Sequence, residues 1–155
     1  MILDASVATK WFLPDEVMTL EALALRDALM AERIRFAAPP AIWTEVGSGL
    51  VGATRRRRLD ASDALALADQ ARLVSRLVDV VVVDTREIVR TALSVGIGAY
   101  DAAYLAAAQQ RASTVMTADR GMLERGRAHG YDVVWLGDIT LRDGVLVDTP
   151  QGYQG

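Results

Sequence analysis

Short apolar runs alternate with longer stretches of helical period along the whole chain, and this alternation constrains the fold more than any other feature. Residues 1–3, 35–38, 80–83, 113–116 and 132–136 read as strands. The valines at 80–83 stand side by side between turn signals, the pattern of a strand buried on both faces. Between the strands the spacing predicts helices. One spans residues 18–32, with Leu20, Leu23, Ala24 and Leu29 turned inward. A second carries Ile42, Val46, Leu50 and Ala53 at helical spacing, starts behind Pro39-Pro40 and ends in Arg55-Arg56-Arg57-Arg58. A third begins near Ala61 behind Asp60, with Leu65, Ala68, Arg72 and Leu73 setting its period. Asp84-Thr85-Arg86-Glu87 has the form of a capping box, Asp84 as N-cap and Glu87 reaching back, and opens a helix that stops near Gly96. Two more are expected over residues 99–111 and 119–129. Strand–helix alternation of this kind argues for an α/β fold: a parallel sheet with helices on both faces, joined by right-handed crossovers.

A chain of 155 residues suits one domain without disulfide or metal staples. No linker or repeat divides it, so residues 1–137 read as the domain proper and residues 138–155 as its C-terminal extension. In that extension Asp143-Gly144 is a turn candidate, and Gly152-Tyr153-Gln154-Gly155 is expected to fray. Apolar residues make up 52% and charged residues 24%, too apolar for disorder and too charged for a membrane protein. No apolar run reaches the roughly 18 residues of a spanning helix, and an acid follows the first three residues where a signal peptide would be basic. The expectation is a cytoplasmic protein with no membrane contact. There is no cysteine and the only histidine is His129, so a bound metal must be held by oxygen, which points to magnesium or manganese.

Ligands of a parallel sheet bind beyond the carboxyl ends of its strands. Asp4 ends the first strand and Asp119 follows the fourth. If those strands are neighbours, about 4.8 Å apart, both acids face one crevice. Asp101 lies in the first turn of the helix leading into the fourth strand, and Glu45 in the early turns of the helix after the second. Each acid alone has a plain structural reading: an Asx turn for Asp4, a solvated helix position for Glu45, a dipole-complementing charge for Asp101, an N-cap for Asp119. Together they repel one another, a situation tolerable chiefly when a cation neutralises it. Ser6 and Thr117 place hydroxyls close by in sequence, where they can orient acids or water.

Four blocks carry a resemblance: Met1-Ile2-Leu3-Asp4-Ala5-Ser6, Pro39-Pro40-Ala41-Ile42-Trp43-Thr44-Glu45-Val46, Tyr100-Asp101-Ala102-Ala103-Tyr104-Leu105-Ala106-Ala107-Ala108, and Met116-Thr117-Ala118-Asp119-Arg120. In order and spacing, from Met1 to about Leu136, the chain resembles PIN-domain nucleases, and among them the VapC toxins of bacterial toxin–antitoxin pairs. The resemblance implies a PIN-like fold, a magnesium- or manganese-dependent endoribonuclease acting on RNA, and a cognate antitoxin that masks the site. Carried over, Asp4, Glu45, Asp101 and Asp119 are the acidic tetrad and metal ligands, and Thr117 occupies the family's hydroxyl position before the last acid. Setting the four acids aside moves the formal net charge from −3 to +1, so the remainder does not repel RNA. The large apolar fraction, with the resemblance, also leads us to expect a homodimer.

Several motifs compete for attention. Gly47-Ser48-Gly49-Leu50-Val51-Gly52 matches the dinucleotide fingerprint GxGxxG, but a helical pattern runs through it where a strand should precede it, so these glycines are expected to let helices approach. Arg55-Arg56-Arg57-Arg58 reads as a solvated helix end or as a contact to the RNA backbone. His129 before Gly130 reads as a helix C-terminus. Trp11-Phe12 packs a first short helix on the core or, if exposed, stacks on a base. Two other functions stay open: an inactive PIN-like module that binds RNA or protein, and a receiver-like phosphoacceptor around magnesium. The latter would want a lysine after a late strand, and the sole lysine, Lys10, lies near the start.

Overall fold

The computed structural model describes residues 1–13, 17–142 and 145–148. Five parallel strands form one sheet: β1 (Ile2–Leu3), β2 (Phe36–Ala38), β3 (Val78–Val80), β4 (Val115–Thr117) and β5 (Val133–Trp135), in the order β3-β2-β1-β4-β5. Seven α-helices accompany them: α1 (Ala5–Lys10), α2 (Thr19–Met30), α3 (Ile42–Arg55), α4 (Ala61–Val74), α5 (Thr85–Val95), α6 (Ala99–Arg111) and α7 (Arg120–Ala128). The chain is thus a single α/β domain of the class its alternating pattern predicts. β1 lies at the centre, its Leu3 opposite Met116 of β4, so the first and fourth strands are neighbours. Every crossover returns the chain to the same end of the sheet, and all five strands release their loops at one edge. A separate antiparallel pair, β6 (Thr140–Arg142) and β7 (Val145–Asp148), runs alongside α2. The expected turn at Asp143-Gly144 and the expected fraying at 152–155 lie outside the described residues.

Local chemistry explains most element ends. Pro39 and Pro40 cannot extend the β2 ladder, and α3 begins just after them. Asp84 caps α5 by accepting from the Arg86 N–H at 2.8 Å, and Gly96, at φ +72°, ends it. Glu87 does not complete the expected box: it pairs with Arg90 one turn on. His129 sits at the C-terminus of α7 before Gly130 at φ +80°, as its sequence position suggests, and its Nδ1 lies 2.8 Å from the Arg125 carbonyl. The GxGxxG stretch is wholly inside α3. A Cβ at Gly49 would stand 2.8 Å from the Thr9 methyl of α1, so this glycine permits the close packing of α1 on α3.

The core lies between sheet and helices, with Ile2, Leu3, Leu25, Phe36, Ile42, Leu105, Met116 and Tyr104 almost completely buried. Each such side chain contributes about 1.5–3 kcal/mol of transfer free energy. α6 is the central helix, buried from Ala102 to Ala108, its alanines allowing close approach to β1 and β4. Trp11 and Phe12 are 3% and 2% exposed, which excludes base stacking and leaves them as core.

Three expectations about faces fail. In α2 the buried residues are Ala22, Ala24, Leu25, Ala28 and Leu29, while Leu20 is 73% exposed. In α4 the inward positions are Ala71 and Val74, while Leu65, Ala68 and Leu73 face outward. Both helices carry leucines on more than one face, so periodicity alone did not select the inner one. The third strand covers Val78–Val80 rather than 80–83, and it is an edge strand. Val81 is buried, but Val80 and Val82 are exposed because no further strand covers that side.

Candidate active site

Three segments meet where β1 and β4 end. Asp4 follows Leu3 directly, and its backbone N–H donates to the Met116 carbonyl at 3.1 Å, which aligns it with Thr117. The Asp4 side chain is 4% exposed and Thr117 is fully buried. Thr117 Oγ1 donates to Asp4 Oδ2 at 2.6 Å, and Ser6 Oγ donates to the same oxygen. Both hydroxyls also accept backbone N–H groups at 2.9 Å, Ser6 from Ala118 and Thr117 from Asp119. The β4–α7 loop is therefore tied to the start of α1 through the carboxylate of Asp4. Both bonds converge on Oδ2, which leaves Oδ1 as the carboxylate's second donor atom.

Burial pushes the Asp4 carboxyl above the ordinary aspartate range; the Ser6 and Thr117 hydroxyls oppose this, and the charge of Asp101 adds to it. Glu45 is raised first by burial, then by repulsion from Asp4 and Asp101, against a hydrogen bond from Tyr104. Asp101 is raised by burial and by repulsion from Asp119, with Arg125 pulling the other way. The four carboxylates thus sense one another in a connected set with Asp101 as its hub. Their elements place them as the sequence predicts: Asp4 at the β1 exit, Glu45 in the first turns of α3, Asp101 in the first turn of α6, Asp119 as the N-cap of α7. The plain reading of Asp119 also holds, since its Oδ1 accepts from the Met122 N–H at 2.9 Å.

The carboxylates share a crevice without being drawn into one tight cluster. Among the described residues no three acidic or imidazole groups stand close enough to grip a single ion together. Each has its own partner instead: two hydroxyls for Asp4, Tyr104 for Glu45, a helix N–H for Asp119. The donor set fits a hard divalent cation all the same, being all oxygen, mutually repelling and partly desolvated.

Two participants were not foreseen. Tyr104, quoted in the third block without a role, is 1% exposed and donates its hydroxyl to Glu45 Oε1 at 2.7 Å. Burial and the neighbouring Glu45 hold that hydroxyl far above the ordinary tyrosine range, so it remains a donor. Arg125, which faces Asp101, gave no signal in the sequence because its position depends on how α7 packs. Arg120 stacks its guanidinium 4.5 Å from the centre of the Trp135 ring, beside Asp119.

A parallel α/β domain with coupled carboxylates at the carboxyl edge of its sheet belongs to the class whose ligands bind at that edge. The profile of the PIN domain matches residues 1–128, and the chain belongs to the PIN-domain family. PIN domains are in general nucleases and typically use divalent metals. The fold is similar to the crystal structure of PAE2754 from Pyrobaculum aerophilum, with a TM-score of 0.64 and 22% identity over 88% of each chain. The search of curated proteins finds no significant match. No helix among the described residues is long and apolar enough to cross a membrane.

Proposed function

We propose that this chain is a divalent-metal-dependent endoribonuclease of VapC type, the toxin of a toxin–antitoxin pair, with its nuclease domain spanning residues 1–137 and residues 138–155 as an extension. The observation that carries the proposal is the coupled set of Asp4, Glu45, Asp101 and Asp119, with Asp4 buried and clamped by two hydroxyls. Burying a charge without a counter-charge is costly, and four acids at one edge gain nothing for stability. Such an arrangement suits a site that takes a cation.

These four residues would hold magnesium or manganese. When bound, the ion acidifies water and offsets charge developing on the phosphate and the leaving oxygen. The remaining steps belong to the chain. Ser6 and Thr117 fix the plane of the Asp4 carboxylate, which therefore need not be reoriented as the reaction proceeds. Thr117 also ties the Asp119 backbone to Asp4, so that the first and last acids move together. Arg125 offsets part of the charge on Asp101. α3 carries the exposed Arg55, Arg56 and Arg57 about 15 Å from Glu45, within reach of the backbone of a bound RNA. No side-chain nucleophile is required.

Exposed Val80, Val82, Val89 and Leu93 on the β3–α5 side supply apolar surface for a second copy of the chain, and an antitoxin segment lying across the crevice would cover the acids. Incubating the purified chain with mixed RNA in manganese and in EDTA tests the activity. Cleavage with manganese, absent in EDTA and in Asp101→Asn, is expected. RNA that stays intact at every metal concentration, although bound, would instead establish an inactive binding module.

A further inference from the structure

We propose that Tyr104 is a positioning residue of the active site, its hydroxyl holding the Glu45 carboxylate in the one orientation from which it can ligate metal. The inference rests on the metal-site reading above and assigns a role to a residue outside the acidic tetrad. Tyr104 lies one turn after Asp101 on α6, so both side chains project from the same face of the helix. From there its hydroxyl crosses to α3 and donates to Glu45 Oε1 at 2.7 Å. The backbone N–H of Ala5, the residue after Asp4, acts on the same phenolic oxygen. One buried hydroxyl thereby connects the segments that carry Asp4, Glu45 and Asp101.

The geometry also says what this connection does. Glu45 has three rotatable side-chain bonds and sits half-buried where Asp4 and Asp101 repel it. Left alone, its carboxylate would swing towards solvent, which relieves both repulsion and desolvation. A phenol has a single hydrogen to donate, so it fixes Oε1 and leaves Oε2 for another partner. The ring is 1% exposed and its position is set by packing, so the hydroxyl is a fixed point rather than a mobile arm. Groups that orient a metal ligand in this way typically contribute about 10–100-fold to metal affinity.

Tyr104→Phe keeps the buried ring and removes only the hydroxyl. Calorimetric titration with manganese chloride should show about tenfold weaker binding in this variant than in the parent. In a Glu45→Gln background the same substitution should change affinity less than about twofold, because its route of action is gone. Equal losses in both backgrounds, or none in either, would overturn the proposal, since a merely structural tyrosine lowers the melting temperature without acting through Glu45. The parent supplies an independent measurement if the variant does not fold: the protected phenolic proton should give a resolved NMR signal that shifts on adding magnesium. An unmoved signal under saturating magnesium counts against the role. If the parent binds manganese and Asp101→Asn does not, while Tyr104→Phe binds like the parent, the metal site stands and Tyr104 falls. If the parent binds no manganese, both fall.

Discussion

Replacing Asp101 with Asn separates a charge collected for a metal from a charge that serves its own helix. Asp101 lies in the first turn of α6, where a negative side chain stabilises the helix dipole by about 0.3–1 kcal/mol. If that were its whole role, Asn would destabilise the protein by that amount at neutral pH, with or without metal. In the crevice, burial and the charge of Asp119 both raise its pKa, and Arg125 only partly compensates. A carboxyl raised above its unfolded value is held protonated more strongly by the folded state. Its favourable contribution is complete below the unfolded pKa and is lost as pH rises through the folded one. At pH 7 the ionised Asp101 is therefore a net cost. It is partly solvated, so the interaction is screened, and about 1 kcal/mol is an upper estimate. Offset by the lost dipole term, Asp101→Asn should leave the metal-free protein equal in stability or better by up to about 1 kcal/mol. For a domain of this size that is a rise of up to about 4 °C in melting temperature. The gain should disappear below about pH 3, where the parent carboxyl is neutral as well. With manganese at 100 times its dissociation constant the parent should gain about 2.7 kcal/mol by mass action, and the variant much less. Melting curves in EDTA and in manganese, at neutral and acid pH, provide the assay. A variant that is less stable by the same amount in both media, and still cuts RNA, would refute the reasoning at this residue.

Thr117→Val removes a buried donor to Asp4 and an acceptor for the Asp119 N–H, and should cost about 1–3 kcal/mol in denaturant titrations. Gly49→Ala should lower the melting temperature despite its better helix propensity, because the new methyl meets the stiff Thr9 side chain at 2.8 Å; adding Thr9→Ser, which deletes that methyl, should restore it. Changing Arg55 and Arg57 together to Gln should reduce the slope of log RNA affinity against log salt by about 0.7 per lost phosphate contact, while manganese affinity stays constant; an unaltered slope leaves these arginines as a solvated helix end. Light scattering should give the mass of a dimer at micromolar concentration, and Leu93→Glu, on an 80%-exposed position, should shift it to monomer.

The order and type of the elements were legible because strand and helix periods differ, and α6 shows this best: its predicted and observed bounds coincide at Ala99 and Arg111. Faces were less legible. Leu20 in α2 and Leu65 in α4 point to solvent while Ala22, Ala28 and Ala71 point inward, since small residues bring a helix close to its neighbour and larger ones stay outside. The edge position of β3 could not be read from its valines, because the order of strands is a property of crossovers and not of composition. At the site, Asp4, Glu45, Asp101 and Asp119 were found by their positions just after strands or at helix starts, which local sequence marks. Tyr104 and Arg125 reach their partners across elements, at distances only the packed fold determines.

The central claim, that these carboxylates form a metal site, is tested most directly by anomalous diffraction from crystals of the chain soaked in manganese. The account predicts a strong peak between Asp4 and Asp101, within ligand distance of Asp119 or Glu45 as well, that is lost in Asp101→Asn. Crystals saturated with manganese whose peaks all lie elsewhere, with this crevice holding only water, would contradict it.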